Sequence, residues 1–221
     1  MIELKDIVKT FQDGDNRINQ VLRGLNLHLD KGEFLAIKGQ SGVGKTTLLN
    51  ILGTLLLPDS GTYVLDGTVL TNSEIDLATV RNEKIGFVFQ DHRLMPQLTV
   101  SQNILLPTLA FQEQSSEDQL AYAVELMRLT HIEHLSQQYP STLSGGEASR
   151  VAVCRALVMK PALLLADEPT GQLDRENARD VAQLLAEINR TLHTTIVMVT
   201  HSNETSSVAD RELLLKDGIL Q

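Results

Sequence analysis

"GQSGVGKT", Gly39-Gln40-Ser41-Gly42-Val43-Gly44-Lys45-Thr46, fits the pattern G-x-x-x-x-G-K-[ST] and separates two segments of different texture. Ahead of it, "EFLAIKG" (Glu33–Gly39) is a short apolar run without alternation, which predicts a strand buried on both faces. Behind it, "KTTLLNILGTLLL" (Lys45–Leu57) has the period of a helix and stops before Pro58. A glycine-rich turn from a buried strand into a helix lets backbone N–H groups wrap an anion, and the helix N-terminus adds the positive end of its dipole. In such a loop Lys45 reaches the β- and γ-phosphates of a nucleotide and Thr46 ligates Mg²⁺, with Thr47 next in the same turn.

Outward from this loop the same texture repeats. Leu25, Leu27 and Leu29 alternate as in a half-buried strand that ends at the Asp30–Gly32 turn, and "GTYVLDG" (Gly61–Gly67) is a strand bounded by glycines. "IGFVFQ" (Ile85–Gln90), "ALLLADE" (Ala162–Glu168) and "TTIVMVTH" (Thr194–His201) read as buried strands. A helix over Asn177–Leu192 separates the last two, and "RELLLKDG" (Arg211–Gly218) supplies a final strand. Strands alternating with helices predict an α/β fold with a parallel sheet. Between Gln90 and Ser144 the chain turns polar and Gln-rich, with amphipathic pieces such as "EDQLAYAVELMRL" (Glu117–Leu129). There Leu120, Val124 and Met127 fall at helical spacing, so this stretch is expected to be a helical subdomain inserted into the sheet domain.

Composition narrows the function. The 221-residue chain carries a net charge of −9, has few aromatic residues and no tryptophan, which disfavours nucleic acid as a partner. One cysteine, Cys154, cannot form an internal disulfide, and a reducing compartment fits. The opening "MIELKDIVKT" is charged throughout, and no apolar run reaches the roughly 18 residues that a membrane span needs. Any role at a membrane is therefore expected to come through a separate partner.

Several polar residues stand where strands end. "LLLADEP" (Leu163–Pro169) closes a buried strand with two acids, which are costly there unless they face a ligand crevice. Beside a phosphate loop, Asp167 suits the hydration shell of Mg²⁺, and Glu168 can orient or deprotonate a water near the γ-phosphate. Capping the next turn is the plainer use of both acids. "VTH" puts His201 at the end of the neighbouring strand as a polar contact for the γ-phosphate, and the Gln90 amide can serve both the metal and the attacking water. His131 and His134 have no cysteine or acid to complete a metal site and read as a solvated helix end. A second glycine-rich stretch, "STLSGGEASR" (Ser141–Arg150), precedes the helical "ASRVAVCRALV" and looks like another phosphate cradle.

The phosphate loop, Gln90, "LSGGE", "LLLADEPT", "GQLD" and "VTH", in that order, resemble the nucleotide-binding subunit of an ABC transporter over essentially the whole chain. The resemblance implies a P-loop NTPase fold of the ABC ATPase kind, with a RecA-like core, a mostly parallel sheet and an N-terminal antiparallel β subdomain. Residues 1–90 and 160–221 would form that core, with the helical subdomain near residues 91–159. It implies an ATPase with ATP and Mg²⁺, in which Ser144, Gly145, Gly146 and Glu147 grip the γ-phosphate held by the phosphate loop of a second protomer. Two ATP molecules would then be sandwiched in a head-to-tail dimer, with Asp174 of "GQLD" beside them. Phe11 stands for the usual tyrosine that stacks on adenine, and stacking needs only the ring.

The likeness is strongest to the group that serves lipoprotein release, macrolide export and cell division, on "IGFVFQDHRLMPQLTVSQNILLP", "LSGGEASRVAVCRAL" and "ADEPTGQLD". Ala148, Ser149 and Gln172 depart from its commoner residues, while Lys45, Asp167, Glu168 and His201 do not. The resemblance further implies a peripheral subunit on the cytoplasmic face of the inner membrane. It would dock an integral membrane permease near Gln90, "DHRLMPQ" and the helical subdomain. Two rival readings are an ATPase that signals across the membrane without moving substrate, and a soluble ABC ATPase of DNA repair or translation. The missing coiled coil and zinc cysteines and the acidic charge disfavour the second.

Overall fold

The computed structural model describes residues 1–13, 17–70, 77–110 and 114–221. Its first half runs β1 (Ile2–Asp13), β2 (Arg17–Leu29), β3 (Phe34–Lys38), α1 (Lys45–Leu52), β4 (Ser60–Leu65), β5 (Thr68–Val69), α2 (Leu77–Lys84) and β6 (Ile85–Val88). Helices α3 (Val100–Leu105), α4 (Glu117–Leu129) and α5 (Gly145–Leu157) follow. The chain closes with β7 (Leu163–Asp167), α6 (Arg175–Leu192), β8 (Thr195–Thr200), α7 (Asn203–Ser206), β9 (Arg211–Lys216) and β10 (Ile219–Leu220). Two sheets result, an antiparallel one in the order β2-β1-β4-β5 and a six-stranded one in the order β10-β9-β3-β8-β7-β6. The second is parallel from β9 to β6, with β10 antiparallel at its edge.

The unbroken apolar runs of the central strands follow from burial of both faces. Phe34, Ala36, Leu164, Ala166, Ile196 and Met198 pack into one core with α3, α4, α5 and α6. Their neighbours Leu35, Ile37, Leu163, Leu165, Val197 and Val199 pack into another, against α1 and the antiparallel sheet. The antiparallel sheet has one wet face, so its strands alternate: Leu25, Leu27 and Leu29 are buried while Asn26 and His28 are exposed. Gly24, at φ +72°, inserts one extra residue between Arg23 and Leu25, a bulge that turns Leu22 to the core as well.

Serine or threonine with Gln or Glu three residues on opens each of α3, α4 and α5. These are full capping boxes at Thr99–Gln102, Ser116–Gln119 and Ser144–Glu147. Of the three, α5 lies against the sheet: a Cβ at Gly86 of β6 would come within 2.2 Å of the Ala156 carbonyl oxygen.

Several details differ from the sequence reading. Helix α1 ends at Leu52 rather than Leu57: beyond Gly53 the N–H groups of Leu55 and Leu56 both turn back to the Asn50 carbonyl, at 2.9 and 3.1 Å, and the Phe87 ring keeps position 53 a glycine, since a Cβ there would lie 1.9 Å from it. The chain then leaves through Thr54 at φ 55°. On α4 the buried residues are Ala123, Leu126 and Met127, whereas Leu120 is exposed and Val124 half-buried. The helix is rotated so that Thr130, at its end, bonds both the Leu126 carbonyl and Cys154 in the core. Gln90 lies in the turn beyond β6 rather than on the strand, and β9 is followed by β10. His131 and His134 are exposed just after α4.

Candidate functional site

The carboxyl ends of β3, β6, β7 and β8 open on one cleft of about 810 Å³, where an open parallel sheet places its ligand. The loop after β3 supplies Gly39, Gln40, Ser41, Gly42 and Gly44, and the first turn of α1 supplies Lys45, Thr46 and Thr47. Gln90, Asp167, Glu168 and His201 line the opposite wall, and Phe11 lies at the end nearest the antiparallel sheet, its ring 41% exposed. Val43 faces away and packs where a Cβ on Gly39 would sit.

Gly44 caps α1 in a left-handed conformation, φ 110°, and offers its first turn no side-chain acceptor. The close approach of Val21, 2.6 Å from where a Cβ would stand, closes this position to larger residues. Lys45 is buried at 8% exposure; its ammonium donates to the carbonyls of Gly39 and Gln40 at 2.8 and 3.1 Å and lies 3.9 Å from Glu168. The Thr46 hydroxyl stands beside the Asp167 carboxylate and favours its charged form. Burial pushes the Asp167 carboxyl above its ordinary value; Thr46 and Lys45 oppose that rise and Glu168 adds to it. A half-buried carboxylate short of positive charge, paired with a hydroxyl, suits Mg²⁺ whose remaining ligands are phosphate oxygens and water. Among the described residues there is no cluster of three or more acids, histidines or cysteines that would hold a metal without a nucleotide.

Glu168 holds a left-handed backbone, φ 45°, while its N–H continues the sheet by donating to the Val199 carbonyl at 3.0 Å. Such a conformation costs a non-glycine residue about 1–3 kcal/mol, and here it turns the side chain into the cleft. One carboxylate oxygen lies 2.9 Å from His201 Nδ1 and also accepts from the His201 backbone N–H at 3.3 Å. This carboxylate faces the phosphate loop, so it can hold and activate a water there. Gly171 leaves room for Gln90, whose amide nitrogen lies 3.0 Å from where a Cβ would be.

The second glycine stretch is elsewhere. Ser144 caps α5: its backbone N–H and hydroxyl each donate to Glu147 Oε2 at 2.7 Å, and its oxygen accepts from the Glu147 N–H at 3.3 Å. The bond from the Ser144 N–H holds the Glu147 carboxyl below its ordinary value. Gly145 and Gly146 pack against Leu173 and Asn177, while Asp174 caps α6 by accepting from the N–H groups of Glu176 and Asn177 at 3.1 Å. None of these residues lines the cleft.

Sequence reasoning missed Gln12, Asn19 and Val21, which also line the cleft, since nothing local marks one strand residue as facing a distant loop. It also missed the capping box, which the S-x-x-E spacing announces. Beside Gln90 lies a groove of about 320 Å³ lined by Arg81, Phe87, Phe89, Arg93, Arg155 and Met159 among others. In it Phe87 and Phe89 stack at 5.2 Å, and the Arg93 guanidinium sits 4.1 Å from the Phe89 ring centre.

Comparison with known proteins agrees with this geometry. The family profile described as ABC transporter matches residues 22–171. The lipoprotein-releasing system ATP-binding protein LolD of Bacteroides thetaiotaomicron is 42% identical over 222 residues, covering 100% of this chain and 99% of its own. LolD of Desulfotalea psychrophila is 44% identical over 218 residues, covering 98% of this chain and 96% of its own. The dimeric structure of MJ0796, a bacterial ABC transporter cassette, superposes with a TM-score of 0.88 at 38% identity, over 100% of this chain and 97% of that one. The fold, the cleft and these matches together place the chain in the ABC transporter family, as one of its ATP-binding, ATP-hydrolysing cassettes.

Proposed function

We propose that the chain works as a dimer which sandwiches two ATP molecules and drives a separate membrane permease that releases lipoproteins from the membrane. One observation carries the dimer: the cleft gathers the phosphate loop, Asp167, Glu168 and His201, while Ser144, Gly145 and Gly146 lie outside it. A second chain, head to tail, would bring those three to the γ-phosphate. The post-hydrolysis structure of the MJ0796 cassette, dimeric and bound to ADP and Pi, supports the arrangement by likeness. Full-length similarity to LolD proteins favours lipoprotein release over export or signalling.

Each residue of this chain then has a task. Lys45 neutralises the β- and γ-phosphates, and Phe11 stacks on the adenine. Thr46, Asp167 and Gln90 hold Mg²⁺, which supplies charge neutralisation of the triphosphate. Glu168 takes the proton of the attacking water, and His201, hydrogen-bonded to it, contacts the γ-phosphate. No described helix is long and apolar enough to cross a membrane, which agrees with a peripheral seat on the cytoplasmic face. The arginine-rimmed groove beside Gln90 is where the permease would dock.

Complementary lesions test the dimer. A carboxylate at Gly146 would block a phosphate, but it would also displace Asn177, whose Oδ1 lies 2.8 Å from the added Cβ. Ser144→Asp leaves Asn177 in place and can still accept from the first α5 N–H groups; because it sets a carboxylate against Glu147, 2.7 Å from the Ser144 hydroxyl, a thermal melt of the variant accompanies it. On a Glu168→Gln background, neither Lys45→Ala nor Ser144→Asp alone should trap ATP, whereas their mixture should trap one nucleotide per heterodimer. Heterodimers that hold none would sink the sandwich.

A further inference from the structure

We propose that Arg155 is a positioning residue for Gln90, tying the loop after Gln90 to the helix that begins at the second glycine cradle. The inference rests on Gln90 acting at the metal and the attacking water. Arg155 lies near the C-terminal end of α5 and spans two consecutive carbonyls, donating from Nη2 to His92 O and from Nη1 to Arg93 O, both at 2.6 Å.

Those two residues have left-handed backbones, φ 57° and 47°, a conformation that costs a non-glycine residue and that its contacts must maintain. Bonds inside the turn hold its N–H groups: His92 donates to the Phe89 carbonyl at 3.0 Å, Arg93 to the Asp91 carbonyl at 2.6 Å, and Arg93 Nε to the Asp91 carboxylate at 3.3 Å. The carbonyls of His92 and Arg93 point the other way, and the planar fork of Arg155 holds both at once.

The anchor of that fork is firm. Ala156, next to Arg155, is the residue whose carbonyl presses on Gly86 of β6, the strand that leads to Gln90. Helix α5 thus fastens both ends of a short path from β6 through Gln90 to Arg93, Ala156 at Gly86 and Arg155 at the two carbonyls. The helix that carries it starts at Ser144, and the loop that it holds forms a wall of the groove beside Gln90. A shift of α5 or of the groove's wall therefore moves the Gln90 amide relative to Asp167, without touching the phosphate loop.

The test uses the purified full chain without any membrane partner, so that docking plays no part. Arg155→Met, Arg155→Lys, Gln90→Ala and the double variants are compared by calorimetry with ATP, by steady-state kinetics and by thermal unfolding. Both Arg155 variants should keep the ATP Kd and KM and lower kcat by roughly tenfold, as expected of a group misplaced by a fraction of an ångström. Adding either to Gln90→Ala should cause no further loss, because Arg155 acts only through that residue. Should Arg155→Met fail to fold, Arg155→Lys, which keeps stem and charge but lacks the fork, decides alone. Losses that multiply in the double variant would overturn the inference, as would an unchanged kcat in Arg155→Lys. Impaired Gln90→Ala beside unimpaired Arg155 variants defeats this inference alone; normal turnover of Gln90→Ala defeats the reading of Gln90 itself.

Discussion

The two glycine-rich turns of this chain look alike in sequence and differ in what they leave unsatisfied. Helix α1 begins at a glycine with no side-chain acceptor, and a buried lysine stands in its first turn. Its N-terminal amides have no side-chain acceptor, and its cation rests on the loop's own carbonyls beside Glu168, open to the cleft. Helix α5 begins with a closed capping box in which Glu147 already takes the Ser144 N–H and hydroxyl. One turn is built to bind a phosphate alone. The other carries its own carboxylate and has no lysine, which fits the proposal that it meets a phosphate whose charge is already balanced by the first turn of another copy.

The largest effect expected from this contrast lies at the end of β7. Glu168→Gln should lower ATP turnover by roughly 10² to 10⁴ if the carboxylate acts as general base, with Mg-ATP still bound. Near-normal turnover of the purified variant would remove it from that role. Next in size, Lys45→Ala should weaken ATP binding to the isolated chain by about 10²-fold, since it removes a buried charge-assisted donor. Calorimetry should find the ATP Kd of Ser144→Ala unchanged, and equal losses in the two variants would erase the distinction between the turns. Ser144→Ala should instead cost about 1 kcal/mol of stability through its lost cap, seen as a lower thermal midpoint.

A smaller effect of opposite sign is expected at Asp167. Burial makes its charged form costly in the folded chain, so Asp167→Asn should raise the thermal midpoint slightly in the absence of Mg²⁺ while losing Mg²⁺-dependent turnover. A lower thermal midpoint would show that the influence of Thr46 and Lys45 outweighs the burial. Smallest is the alkaline limb. Burial pushes the Cys154 thiol from 9.0 up to about 12, so between those values the unfolded chain has lost a proton that the folded chain keeps. That contribution is whole below pH 9 and disappears as pH rises toward 12. A Cys154→Ala variant should show a shallower decline of stability in urea titrations over that range.

The phosphate loop was legible because its chemistry is local: Gly39 to Thr46 must be contiguous for one backbone turn to wrap an anion. The central strands were legible because burial of both faces leaves an unbroken apolar run. What escaped is tertiary. Nothing in "KTTLLNILGTLLL" says that α1 will end at Gly53 with the Phe87 ring against it, and nothing in "EDQLAYAVELMRL" says that Leu120 will face water. The periodicity of α4 allowed two adjacent faces, and contacts with Cys154 on α5 selected one. Arg155 is the sharpest case, since its partners are carbonyls of residues far along the chain, and a carbonyl has no sequence signature.

The sealed thiol and the missing tryptophan make the chain a quiet background for spectroscopy. Cys154 is wholly buried, so a thiol-reactive dye would go to a cysteine placed by design, for instance at exposed Gln172 beside Asp174. A tryptophan in place of Phe11 would be the chain's sole indole, set in the cleft wall, and its emission would follow nucleotide arrival without subtraction of other signals. Arrival at one site and approach of a second copy can thus be timed separately in one sample, by indole fluorescence and by energy transfer between dyes.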